Sequence, residues 1–436
     1  MEIVNAIGIV ASIAVFIFLA SKKINIVLVG MVASLIVIFT SGGNYLELIT
    51  DTWSGGLSSF IKNYFVIFAL SSIYGKLMSD CGAAKKIGLS LFKVCSLSKK
   101  HERLLGVLMI PLMYFILIYV GISAWVVIFT VLDISKHLLK RLNIPWRFYT
   151  YCVGGSIFMI FPPGSLVLAN IQATTLCGVP LTAGALLGFV GLAVAIIVLV
   201  IFISADLKKA DKNDEGFLPS GKAFEVDQTD IGAADDEKGL PSLLLSILPM
   251  ATVIIVASAF KVNVIIALAI GILLCVLIMW KRYANIGQTL VAGLVSCFGP
   301  VISIAATSAF GSVLRTVPGF TFISSALNVL PALYGGMIFG AVSTFLITTP
   351  AAVINVFGPD ILAKFTEAGL SADTAARMLA VSTFTGVPPH GSGLANTLML
   401  TKLDYASAVK NYLKVMIAAG VGALACLAMV ELGIVH

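Results

Sequence analysis

Long apolar runs separated by short basic clusters set the pattern of this chain. Ile3–Ser21 is a 19-residue run without a charge. Further apolar runs lie at about 24–41, 57–79, 104–132, 148–205, 243–260, 262–280, 287–307, 332–358 and 372–401, and a last one ends near Leu432. A helix crosses a bilayer in about 20 residues, so most runs read as single transmembrane helices. Two do not fit that reading. Leu104–Leu132 has 29 residues, too many for one crossing and too few for two. Phe148–Ala205 has 58 uncharged residues and holds two crossings.

Charge fixes how the odd runs fold. Lys85, Lys86, Lys93, Lys99, Lys100 and Arg103 precede the 104–132 run, and Lys136, Lys140, Arg141 and Arg147 follow it. Basic loops stay cytoplasmic, so both flanks belong on one side. The run must dip in and return as a re-entrant hairpin turning near Tyr119-Val120-Gly121-Ile122-Ser123. Such backbone is tolerated at membrane depth only if protein buries it or it lines an aqueous cavity. A second hairpin, entered from the outer side, is expected at 332–358, where Thr348-Thr349-Pro350-Ala351-Ala352 interrupts the run. Each hairpin precedes a proline-broken helix: Phe161-Pro162-Pro163-Gly164-Ser165 in the first half, Val387-Pro388-Pro389-His390-Gly391-Ser392-Gly393 in the second. The segment 206–240, with ten acidic and five basic residues, reads as a cytoplasmic linker. The expected architecture is all-α and polytopic. It has about ten crossings and two re-entrant hairpins, in two inverted halves (1–205 and 241–436), with both termini outside. Inverted repeats with discontinuous helices are a transporter pattern, and substrate binds where the breaks meet.

Composition agrees. The 436 residues are 59% hydrophobic and 11% charged, with a mean hydropathy of +1.05. Soluble domains are near half apolar and a quarter charged. A soluble enzyme, a disordered chain and a disulfide scaffold are excluded. The net charge of +7 sits in short loops, which fits membrane topology and not nucleic-acid binding. Seven cysteines, with no CxxC or Cys/His pairing, imply neither metal nor cofactor. The first run has Lys22 and Lys23 after it and no A-x-A site, so it reads as a span and not a cleaved signal.

A broken helix exposes N–H groups at one end and C=O groups at the other. The N–H end suits a carboxylate; the carbonyl end suits a cation. With almost no basic side chain expected inside, helix ends and neutral groups must hold an anion. Pro163, Gly164, Ser165 and Asn170 are the candidates at the first break, and His390, Gly391, Ser392 and Asn396 at the second. Tyr119, Gly121 and Ser123 are candidates at the first hairpin turn, and Thr348 and Thr349 at the second. His390 is the only ionisable group between Arg377 and Lys402; its near-neutral titration suits a proton carrier, and a neutral imidazole bonded within a kink is the alternative. Arg315 either meets substrate or snorkels at the interface.

At these residues the chain resembles the gluconate permease (GntP) family of the ion transporter superfamily. The resemblance rests on Phe161-Pro162-Pro163-Gly164-Ser165, on Ala305-Ala306-Thr307-Ser308-Ala309-Phe310-Gly311-Ser312-Val313-Leu314 and on Ser343-Thr344-Phe345-Leu346-Ile347-Thr348-Thr349-Pro350-Ala351-Ala352. It implies a bacterial inner-membrane symporter of a small organic anion such as gluconate, proton-coupled, working by an elevator movement, in a homodimer. Where family members often carry an acidic residue at the first hairpin turn, this chain has Tyr119. Where they often carry a His in the first Pro-Pro motif, it has Gly164-Ser165. Sodium coupling and cation/proton antiport stay open, although no midplane carboxylate is evident for an antiporter. An intramembrane enzyme would need paired Asp, Ser/His or HExxH groups at depth, and the sequence has none there.

Overall fold

The computed structural model describes residues 2–22, 24–95, 101–119, 121–122, 124–218, 220–224, 239–258, 260, 262–320 and 330–435. Among them there is no strand. The first half holds α1 (Glu2–Ser21), α2 (Ile26–Ser41), α3 (Ser54–Asp80), α4 (Ala83–Cys95), α5 (Glu102–Tyr119), α6 (Ala124–Arg141), α7 (Val153–Ile157), α8 (Leu168–Cys177) and α9 (Ala185–Lys212). The second holds α10 (Leu243–Ser258), α11 (Val264–Met279), α12 (Ile286–Thr316), α13 (Ala332–Ile347), α14 (Pro350–Glu367), α15 (Ala372–Val381), α16 (Ser392–Thr401) and α17 (Tyr405–Glu431).

Local chemistry sets the boundaries. Asn25 and Asn263 open α2 and α11 in the same way, each side chain accepting from the backbone N–H two residues on at 2.9 Å. Asn44 and Asn285 cap the helices that follow. A side-chain acceptor at this position satisfies an N–H the helix cannot. Pro162 and Pro163 lack N–H groups and end the first short helix. Residues 382–391 interrupt the second between α15 and α16.

Six helical segments among the described residues are long and apolar enough to cross a membrane: 45–80, 102–119, 185–212, 264–282, 286–316 and 405–431. Four shorter apolar helices accompany them, at 3–16, 26–41, 243–257 and 332–347. The stretch after 307, expected to loosen around Gly311 and Arg315, continues as helix to Thr316. The linker expected from 206 begins later, because α9 runs on to Lys212. Residues 215–217 then fold back: Arg147 grips Glu215 with two hydrogen bonds of 2.8 Å, and Phe217 N–H donates to Asn143 Oδ1. The Arg147 guanidinium holds the Glu215 carboxyl below the usual carboxylate range.

The halves interlock. α12 lies along α3, α2 packs on α12 and α11 on α3, so each half lends a helix to the other's long one. α9 pairs with α17, and α15 with α8. The arms α5 and α6 pack on each other, as do α13 and α14. Each hairpin therefore lies beside the broken helix that follows it in sequence: α5 touches α7, and α14 touches α15.

Candidate functional site

The first break is held from three directions. Tyr119, at the end of α5, donates its hydroxyl to the Pro163 carbonyl at 2.6 Å, and its own carbonyl accepts from Leu166 N–H at 3.1 Å. The hairpin tip is thus docked on the break by a reciprocal pair. Gly121 turns the tip at a φ of 87°, a left-handed value that disfavours any other residue. Gly164 sits at a φ of 76° and donates to Leu181 O. The Asn170 side chain reaches back along α8, its amide donating to Met159 O at 2.7 Å and to Pro162 O at 3.5 Å. Ser165 is buried, and its hydroxyl accepts from Val167 N–H at 3.4 Å.

The third support is Arg377, which sequence reading left outside the site. It lies on α15 and is 1% exposed. Its guanidinium donates to the carbonyls of Ile160, Pro162, Leu181 and Ala183 and to Asn170 Oδ1, at 2.9 to 3.4 Å. Almost no basic side chain is expected inside, and the exception, Arg377, lies at the site itself. Arginine's planar fork has five donors, and here the broken helix supplies the acceptors that a continuous helix would have spent internally. The Asn170 amide, expected to face a ligand, is likewise consumed by the protein.

The N–H side of the break is different. Of the first N–H groups of α8, those of Asn170 and Ile171 donate to Val167 O, and those of Leu168 and Ala169 precede any helical acceptor. Beside them lies a cavity of about 180 Å³, lined by Ile67, Phe68 and Ser71 of α3, Ile118, Gly121, Ile122 and Ala124 of the hairpin, Ser156 near α7, and Leu166, Val167 and Leu168. Of the expected residues that are described, Gly121 lines it. Among the described residues Ser71 and Ser156 supply its hydroxyls, and neither carried a sequence signal. Further along α8, the Gln172 side chain is 3% exposed. A larger cleft of about 470 Å³ between α4, α5 and α10 is mostly apolar, with Ser90 and the expected residue Tyr119 in its lining.

The second half builds a related arrangement from different residues. Thr348 turns the tip at a φ of 66°, a left-handed conformation, and Pro350 opens α14. Pro350 packs against Gly386, whose added Cβ would meet its ring at 2.5 Å and Ile157 at 3.3 Å. The second break thereby touches the helix leading to the first. Thr385 donates to Ala341 O. The His390 ring stands edge-on to Phe345 with centroids 5.1 Å apart, is 7% exposed and has an unpartnered Nε2. Thr344, one residue before Phe345, has an unpartnered buried hydroxyl. Thr349 is half-buried at the start of α14, and Gly391 is buried before α16. Ser123 and the side chains of Ser392 and Asn396 lie outside the described residues. Arg315 is not in the site: it pairs with Asp360 at 3.0 Å.

The family description of GntP family permease matches residues 4–259. The chain belongs to the GntP permease family. Outside this match, the GntP chain is 23% identical over 364 residues to an uncharacterized transporter, YxjC, of Bacillus subtilis (strain 168), covering 73% of this chain and 75% of that one. Two solved structures share its fold with a TM-score of 0.52 each. The YdaH transporter of Alcanivorax borkumensis, described as having an unusual topology, is 15% identical and covers 89% of each chain. MtrF of Neisseria gonorrhoeae, described within a class of antimetabolite efflux pumps, is 12% identical over 88% of this chain and 83% of that one. The protein is a multi-pass membrane transporter, as expected for a GntP permease.

Proposed function

We propose that this permease is a symporter of a small organic anion, gluconate or a related hydroxy acid, driven by protons. The observation that carries the reading is the polarity of the first break. Its carbonyls are occupied by Tyr119, Asn170 and Arg377, while the N–H start of α8 borders the cavity. What remains unspent there is positive, which suits a carboxylate. The same occupancy argues against sodium at the carbonyls of Pro162 and Pro163, which already accept from the protein. His390, with a free Nε2 at the second break, is the proton carrier in this reading.

The packing also supports an elevator movement. Both hairpins and both broken helices are tied together through α15 on α8, α14 on α8 and Arg377, and would move as one body against α3 and α12. In this reading the hairpins are re-entrant, the halves are inverted, the basic loops and the 206–240 linker face the cytoplasm, both termini lie outside the inner membrane, and the protein works as a homodimer.

The test is uptake of radiolabelled D-gluconate into vesicles carrying the purified protein, under an imposed proton gradient. Saturable, counterflow-capable uptake that responds to pH and not to sodium is expected. Sodium-dependent uptake without a pH response would sink the proton reading, and no uptake of any hydroxy acid would sink the substrate class. His390→Gln is expected to keep binding while its uptake stops responding to the proton gradient; an unaltered pH response would remove His390 from coupling. Tyr119→Phe loses the hydroxyl that holds Pro163 O. Leaving a carbonyl unsatisfied costs about 1–3 kcal/mol, so apparent affinity should fall about tenfold; an unchanged KM would show that tip docking does not shape the site.

A further inference from the structure

We propose that Arg377, which has no carboxylate partner among the described residues, is the fixed charge that makes this site select anions. The inference rests on the transporter reading above and gives Arg377 a role beyond occupying the carbonyls of the break.

Arg377 is fully buried, and every partner of its guanidinium is a neutral oxygen: four carbonyls and the Asn170 amide. Its electrostatic neighbours among the described residues are Cys426 and Tyr119, neither of them a carboxylate. Asp373, one turn earlier on α15, is exposed and makes no ion pair with it. A buried cation without a counter-ion is costly. Hydrogen bonds to carbonyls satisfy its donors, but they do not cancel its charge. Two of those carbonyls, Ile160 and Pro162, belong to the first break, and Asn170 lies in the first turn of α8. The charge therefore stands behind the helix start that borders the cavity. It acts through that backbone without touching the ligand, and so Arg377 is a positioning residue. The α8 N-terminus and the guanidinium add in the same direction, and at low local dielectric such charges reach far.

Asn170→Asp gives the sharpest test. Asn170 Oδ1 already accepts from Arg377 at 3.3 Å, so a carboxylate there puts a negative charge beside the guanidinium, at the cost of the amide's bonds to Met159 O and Pro162 O. The assay is thermal stability of the purified full-length protein titrated with D-gluconate, with neutral D-gluconamide, and with acetate and sulfate. For the wild type, stabilisation by at least one anion and none by gluconamide is expected. For N170D, an unliganded Tm below wild type is expected from the lost amide bonds, with the anion response weakened at least tenfold in concentration. Arg377→Gln should also lose the response, and N170D keeps the result readable if that variant folds poorly. The proposal is overturned if N170D responds to anions like the wild type, if gluconamide stabilises as well as gluconate, or if no anion stabilises the wild type. If sulfate or acetate gives a response that N170D abolishes while gluconate gives none, the hydroxy-acid reading fails and the assignment of Arg377 stands. If N170D binds and transports gluconate normally, transport stands and the assignment falls.

Discussion

Gly188→Ala should reduce uptake to less than about a tenth of wild type. Gly188 lies on α9, where its backbone touches the first break. A methyl group there would overlap the Phe161 carbonyl oxygen and lie 3.3 Å from the Arg377 side chain. Flexible side chains can yield to an added methyl, but this neighbour is backbone. The break cannot shift to make room, because Tyr119, Asn170 and Arg377 hold the carbonyls on either side of it. Overpacking of this kind costs about 1–3 kcal/mol, and here the distortion falls on the residues that aim α8. Gly299→Ala is the control: it sits on α12 with nothing within 4 Å of the added atom, and uptake should stay within about twofold of wild type. Normal uptake by Gly188→Ala would show that the geometry of the break does not limit transport.

Asp206→Asn should produce the largest loss of stability. Asp206 is 8% exposed near the end of α9. It accepts from the Tyr151 hydroxyl and from the Lys414 ammonium. Tyr151 stands on the short 3₁₀ segment leading to the first break, and Lys414 on α17, so one carboxylate ties three elements. Removing one member of a fully buried pair costs about 3–5 kcal/mol. The Lys414 side chain keeps 29% exposure, and solvent screening lowers the expectation to about 1–3 kcal/mol. Thermal unfolding in detergent reads the loss directly. Adding Lys414→Met to Asp206→Asn should recover part of it, because the stranded charge is then gone; an additive double variant would mean that the pair contributes nothing.

Much of the fold was legible because it is written in local chemistry. Two prolines in a row cannot continue a helix, whatever surrounds them, and breaks appear at 161–167 and 382–391. Thr348-Thr349-Pro350 marks a turn because proline opens a helix readily, and α14 starts at Pro350. The tip at Tyr119–Ile122 follows from basic residues on both flanks. Legibility ended where a residue's role depends on what packs against it. Arg377 has no role in the sequence reading, and in the structure it is the clamp on a helix break more than 200 positions away. Arg315 reads as a ligand contact or an interfacial anchor, and the structure gives it a half-exposed ion pair with Asp360. Asn170 reads as a ligand donor, yet the protein uses both ends of its amide.

By itself, then, the sequence determined that this chain lives in a membrane, where its helices break and where its hairpins turn. Those properties depend on hydrophobicity, on missing N–H groups and on charges a few residues apart. Only the tertiary structure decided which side of the first break faces a cavity, which hydroxyls line it and which buried cation stands behind it. Those depend on contacts between α15 and α8 and between α3 and the first hairpin. Such contacts join distant parts of the chain, and no local pattern of residues encodes them.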